Sequence, residues 1–138
     1  MVFPILVALM FAITEFSLLW SAKHLLEAAT YAAAREASLP ASDSQLPVGD
    51  DDERLQAAIS AAEQILGNPK YVVGDPLDSN NASGYRIDDY DFGQHTGDPI
   101  QITLSLPMKD TAAPDLLKVL GISLGNKRLT ATTVMRRE

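Results

Sequence analysis

The sequence predicts an α+β protein: a long N-terminal transmembrane or rod helix followed by a small head with a mainly antiparallel sheet and one or two helices. Three observations carry this. Val2 to Ala22 is a run of 21 residues with one ionisable side chain, Glu15. A helical spacing of apolar residues continues beyond that run to about residue 39. Further on, Ile100, Ile102, Leu104 and Leu106 alternate with Gln101, Thr103 and Ser105, the signature of a strand with one buried and one wet face.

The first element is the helix. At ~1.5 Å per residue, Val2 to Ala22 would reach ~32 Å, enough to span the hydrocarbon core of a bilayer. A cleaved secretory signal has a shorter apolar region, normally ~7 to 15 residues, and ends at a small-residue cleavage site. Here the pattern runs past Ala22 through Lys23 and Glu27, so the segment reads as a retained anchor. Pro4 suits a first helical turn, where its missing N–H is not needed. Leu18, Ala22, Leu25, Ala29 and Ala33 then recur at helical spacing, with Lys23, Glu27, Arg35 and Glu36 elsewhere on the surface. Pro40 disfavours helix in the residue before it, so the helix should stop near Ser38 or Leu39, giving a rod on the order of 50 Å.

The segment 40–49, PASDSQLPVG, reads as a linker. Asp50 and Glu53 have capping-box spacing, and Leu55, Ala58, Ile59, Ala62 and Leu66 mark one face of a helix ending at Gly67, Asn68 and Pro69. Tyr71 to Val73 is a short strand candidate, followed by a polar loop from Gly74 to Gly84. Tyr85 to Phe92 is a second strand, and the alternating segment ended by Pro107 a third. A short helix over Pro114 to Leu120 and a last strand over Leu129 to Met135 complete the head. The expected division is a transmembrane and packing helix at 1–39, a linker at 40–49 and an α+β head at 50–138; the length of 138 residues suits one head.

Composition narrows the function classes. A formal charge of −7 with 11 basic residues argues against a nucleic-acid surface, which needs clustered Lys and Arg. The absence of cysteine removes disulfides, thiolate metal sites and a Cys nucleophile. The two histidines, His24 and His95, share no metal-ligand spacing, and neither a G-x-S-x-G elbow nor a phosphate-cradling glycine loop occurs. The expectation is a non-enzymatic chain without cofactor or small-molecule substrate.

Three stretches carry a family likeness: FPILVALMFAITEF at 3–16, a proline-led apolar helix with a Glu-aromatic pair near its end; AAAREA at 32–37; and LTATTVMRRE at 129–138, a terminal strand closed by Met-Arg-x-Glu. In this order the chain resembles the TadE-like pilins, pseudopilin-type subunits of the tight-adherence (Tad) class of type IV pilus. Ala37 stands where that family usually has glycine. The resemblance implies a minor pilin or pseudopilin held in the bacterial inner membrane by a single pass and later packed with other pilin subunits in an extracellular filament for adhesion. A membrane-anchored envelope adaptor that never polymerises and a major, homopolymeric subunit are the alternatives. Such pilins carry a basic leader with a small residue at the cleavage point, and neither stands before Pro4. Lys23 and His24 after the span would by themselves place the head in the cytoplasm; the resemblance places it outside.

Glu15 is the residue of most interest, because a carboxylate in an apolar span costs about 2.5–3.5 kcal/mol on insertion scales and should face a partner or cavity. It is either protonated or bonded locally to Thr14 or Ser17, or it pairs with a neighbouring subunit's Lys23 or His24 across helices offset by ~12–14 Å. The alanines at 22, 28, 29, 32, 33, 34 and 37 express helix propensity or allow close helix packing, making Ala29 and Ala33 candidate intersubunit positions. The acidic run Asp50 to Glu53 reads as a helix start favoured by the dipole. Asp75, Asp78 and Asn80, with Asn81 beside them, are oxygen ligands of the type calcium takes, but without the D-x-D-x-D-G pattern they read first as a solvated turn. Asn81-Ala82-Ser83 is a formal glycosylation sequon.

Overall fold

The computed structural model describes residues 2–39, 51–68, 70–95, 97–110 and 127–137. Its first element, helix α1, runs unbroken over Val2–Ser38, about 55 Å at the standard rise. Neither glycine nor a second proline interrupts it between residues 5 and 38. The helix has two different environments. Up to Trp20 most large apolar side chains are exposed. From Ala22 onward one stripe is buried: Ala22, Leu26, Ala29, Ala33, Ala34 and Ala37, joined by Thr30, whose hydroxyl donates to Leu26 O at 2.7 Å. Leu26, fully buried, stands at the centre of this stripe; Leu25, expected there, is partly buried at its margin.

Helix α2 occupies Asp51–Leu66 and opens with Asp51, Asp52 and Glu53, three carboxylates in the turn where the helix dipole is positive. Asp50, the first half of the expected capping box, lies outside the described residues, as does the linker segment. Leu55, Ala58, Ala62 and Leu66 form the buried face, as their spacing predicts. The helix ends with Gly67 at φ 55°, its N–H bonded to Glu63 O at 2.9 Å, a left-handed C-terminal cap. Arg54 of α2 reaches back to the end of α1, donating to Ala37 O and, at 3.4 Å, to Leu39 O. A guanidinium on carbonyls that the helix itself leaves unpaired is favourable both as a hydrogen bond and toward the dipole.

The expected strand at Tyr71–Val73 is a turn. Tyr71 N–H bonds to Asn68 O at 2.8 Å, and the segment meets the sheet region through one backbone bond, Tyr85 N to Tyr71 O at 2.7 Å. The reason is a shortage of ladder: Tyr71 and Val72 both donate back to Asn68 O, and Gly74, two residues after Val72, takes φ 76°. Gly84, at φ 80°, passes so close that a Cβ there would lie 2.6 Å from Val73 O and 2.8 Å from Tyr71 O.

The remaining strands match the sequence reading within a residue or two: β1 at Arg86–Asp91, β2 at Pro99–Pro107 and β3 at Arg128–Arg136. They form an antiparallel sheet in the order β1-β2-β3, with Ile102 opposite Thr133 and Tyr90 opposite Ile102. A bulge between Ile87 and Asp89 breaks the β1 ladder. Ile100, Ile102, Leu104 and Leu106 are all buried. Ser105, expected on the wet face, is buried as well, because Arg128 closes over it: Nε donates to Ser105 Oγ at 3.0 Å and Nη2 to Ser105 O at 3.3 Å. The same guanidinium holds Asn81 O at 3.3 Å and Gly84 O at 3.2 Å, tying the 74–84 loop to the sheet. After β2 a short 3₁₀ turn follows at Met108–Asp110. The helix expected at 114–120 lies outside the described residues.

Helix α1 packs against α2, β2 and β3. One apolar cluster joins Leu26, Ala29 and Ala33 of α1 with Leu55 and Ala62 of α2 and with Ile102, Leu104 and Ala131 of the sheet. The core therefore crosses the expected division at 40–49: the second half of α1 is part of the head.

Candidate assembly surface

The first half of α1 is an apolar surface. Phe3 is 78% exposed and Trp20 55%, with Leu6, Met10, Ile13 and Phe16 exposed between them. Apolar side chains around a whole helix circumference are not stable against water. By length and composition the Phe3–Ser38 helix is able to cross a membrane. The surface can meet hydrocarbon, or the matching helices of other subunits.

Glu15 differs from its surroundings. It is 2% exposed although Ile13, Thr14, Phe16 and Ser17 beside it are exposed. The two hydroxyls expected as its local partners are directed elsewhere: Thr14 Oγ1 donates to Met10 O at 2.9 Å and Ser17 Oγ to Ile13 O at 2.8 Å. A hydroxyl has one proton, so neither donates to the carboxylate. Glu15 is covered within its own chain and does not present a bare carboxylate at the apolar surface.

Lys23 and His24 are brought together with Glu27. Lys23 Nζ lies 3.8 Å from Glu27 Oε1, and His24 Nδ1 lies 3.4 Å from Glu27 Oε2, an ion pair when the ring is protonated. Above this cluster stands an aromatic ladder: Phe16 stacks on Trp20 with centroids 5.9 Å apart, and Trp20 meets His24 edge-on at 5.0 Å. Along the axis Lys23 and His24 are ~12 and ~13.5 Å from Glu15 on the same helix. Sequence reasoning puts Glu27 on the helix surface without pairing it and gives Trp20 no role. Both had a signal: Glu27 is at i+4 from Lys23 and i+3 from His24, and Trp20 is an aromatic where an apolar run gives way to charge.

Ala29 and Ala33 are 0% and 1% exposed. Their small faces permit close approach, as expected, but the elements that approach are α2 and the sheet of the same chain. Both side chains are thus covered within the chain.

In the loop before β1 the oxygens of the acidic residues close turns. Asp75 Oδ1 accepts from Leu77 N at 2.9 Å and Asp78 Oδ1 from Asn80 N at 2.8 Å. Asn81 Nδ2 donates to Val73 O and Asp75 O. Asp75, Asp78 and Asn80 thus form solvated turns, and no group of three or more His, Cys, Asp or Glu able to hold a metal occurs among the described residues. The sequon's Asn81 has its amide nitrogen committed to the loop, so a glycan there would cost both bonds. Elsewhere in the head, burial and then Glu63, which accepts from Tyr85 Oη at 3.2 Å, push the Tyr85 phenol well above its usual range. The backbone amides of His95 and Gln94 hold the Asp98 carboxyl below its ordinary value.

Residues 1–35 match the family model of the TadE-like protein. No curated protein and no solved structure matches the chain. The TadE-like segment covers the exposed apolar half of α1, Glu15, the Lys23–His24–Glu27 cluster and the helix's entry into the core. It stops before α2, so the sheet and the 74–84 loop lie outside the match. The match includes the part of this chain that is apolar, exposed and, with the rest of α1, long enough to span a bilayer.

Proposed function

We propose that the chain is a structural subunit, a minor pilin or pseudopilin, of a Tad or type IV pilus-like filament, held in the inner membrane before assembly and joined to other subunits through α1 afterwards. The observation that carries the reading is the TadE-like match over residues 1–35, on a helix whose first 20 residues expose large apolar side chains. Removal of that surface from lipid into contact with like helices supports association through packing. On this reading a neighbour's Lys23 or His24, with helices offset by ~12–14 Å, pairs with Glu15 only once the chain's own cover of that side chain moves aside, since it is 2% exposed.

The second reading is a single-pass anchored domain that does not polymerise. Burial of the alanine stripe in the head favours it, since less of α1 is left for neighbours than its length implies. Localisation separates the two. Recovery of the protein in sheared extracellular filaments, with piliation lost on deletion, supports the filament subunit. Recovery from the inner membrane alone, with piliation intact on deletion, supports the anchored domain.

A further inference from the structure

We infer that two copies of the chain meet head to tail through opposite edges of the sheet, β3 of one copy alongside β1 of the next. This goes beyond the proposed function and does not depend on it, since two heads can meet in a filament or in a membrane. Charge is divided across the strands. β1 carries one Arg and three Asp, a net −2; β2, in the middle, carries no ionisable side chain; β3 carries two Arg and no acid, a net +2. Charge on an edge strand guards against pairing with a like edge. Here it sets β1 against β1 and β3 against β3 at a disadvantage, and it favours β3 against β1.

Neither edge is closed by main-chain bonds among the described residues. Ile87 N–H is taken by Pro76 O at 2.9 Å, but no backbone bond from outside the sheet reaches residues 88–91 of β1 or residues 129–136 of β3. Asp88, Asp89, Tyr90 and Asp91 are exposed, as are Thr130, Thr132, Val134 and Arg136. A cleft of about 360 Å³ between β1 and Leu77 and Ser79 of the preceding loop leaves room for side chains of an added strand.

The register fixes what meets what. Asp89, Thr103 and Thr132 stand at one level of the sheet, and Asp91, Gln101 and Val134 at the next level on the same face. β1 and β3 are both antiparallel to β2, so they run in the same direction, and β1 of a second copy beside β3 repeats the sheet by translation. The second copy's Asp89 then lies beside Thr132, whose hydroxyl can accept from Thr103 and donate to the carboxylate. Its Asp91 lies diagonal to Arg136, within reach of a long side chain. Arg136 makes no ion pair among the described residues. Because the contact uses a different surface on each copy, it does not close on itself and extends into a row.

The chain contains no cysteine, so introduced ones report alone. Within one copy the Cα atoms of residues 89 and 132 are two strand spacings apart, ~9.6 Å, beyond the ~7 Å that a disulfide spans. The full-length protein carrying Asp89→Cys and Thr132→Cys, oxidised in membrane vesicles, should therefore give a ladder of dimers, trimers and longer oligomers. Each single variant should stay monomeric, and the two co-expressed should give dimers alone. Asp91→Arg added to the double variant should reduce the ladder roughly fivefold, and further addition of Arg136→Asp should restore it, a rescue that a folding defect would not show. Absence of the ladder overturns the inference, as does a ladder that Asp91→Arg leaves unchanged, or cross-linking of a single variant as strong as that of the double. Sheared filaments without the ladder remove this contact and leave the filament subunit standing; a ladder without filaments does the reverse.

Discussion

Replacing Ala33 by leucine adds three carbon atoms at a position that is 1% exposed, on the stripe where α1 meets α2 and the sheet. Neighbouring Ala29, Ala34 and Ala37 are as closely covered, so the added branch has no adjacent gap to enter and must displace a helix or strand. Overpacking of this kind costs typically 1–3 kcal/mol. For a head near 100 residues, each kcal/mol moves the midpoint by about 4–8 °C, so a fall of roughly 5–20 °C is expected. Ala28→Leu makes the same chemical change on the exposed side of the helix, where substitutions usually stay within about 0.5 kcal/mol. Near-ultraviolet circular dichroism of the full-length protein in mild detergent follows the head's packing on heating. Equal midpoints for the two variants and the parent would refute the claim that α1 is built into the core, and would restore Ala33 to a subunit interface.

Arg128→Ala removes the hydrogen bonds to Asn81 O, Gly84 O and Ser105 and leaves those acceptors without their donor; a loss of about 2–3 kcal/mol is expected in urea titrations, and Arg128→Lys, with its single point charge, should recover only part of it. Asp98 is held below its ordinary value of 3.8 by the amides of His95 and Gln94, so its contribution is complete above that value and is lost as pH falls through the lower, folded one. Asp98→Asn should therefore lower stability at neutral pH and flatten the acid limb of the stability–pH profile below about pH 4, where parent and variant converge. Glu15→Gln should leave membrane insertion intact and reduce filament yield in shearing assays; parental yield would remove Glu15 from assembly.

The periodic elements were legible because each satisfies one physical requirement at a time. The 21-residue apolar run, the α2 face Leu55-Ala58-Ala62-Leu66 and the alternation of β2 need only a backbone period and a buried side. Tyr71–Val73 failed because an apolar triplet does not reveal whether a partner strand is alongside, and the glycines at 74 and 84, both at positive φ, turn the chain before one forms. Ser105 failed for a similar reason: alternation places it outward, but the long side chain of Arg128 folds over from β3. The spacing of Ala29 and Ala33 leaves helix propensity and close packing open, and both side chains are covered by α2 and the sheet of their own chain. Small residues at helical spacing state how near a neighbour comes and are silent on which chain it belongs to.

Because α1 continues without interruption from Phe3 into the packed head, the head has no swivel. Its sheet is oriented by whatever orients the helix. A pull on the N-terminal end loads the Leu26–Ala37 contacts in shear along the helix axis, engaging many side chains at once, where a linked head would be strained at its linker alone. A chain built this way turns as a single lever about 55 Å long in its helix, and the direction in which its head points is set by α1 itself.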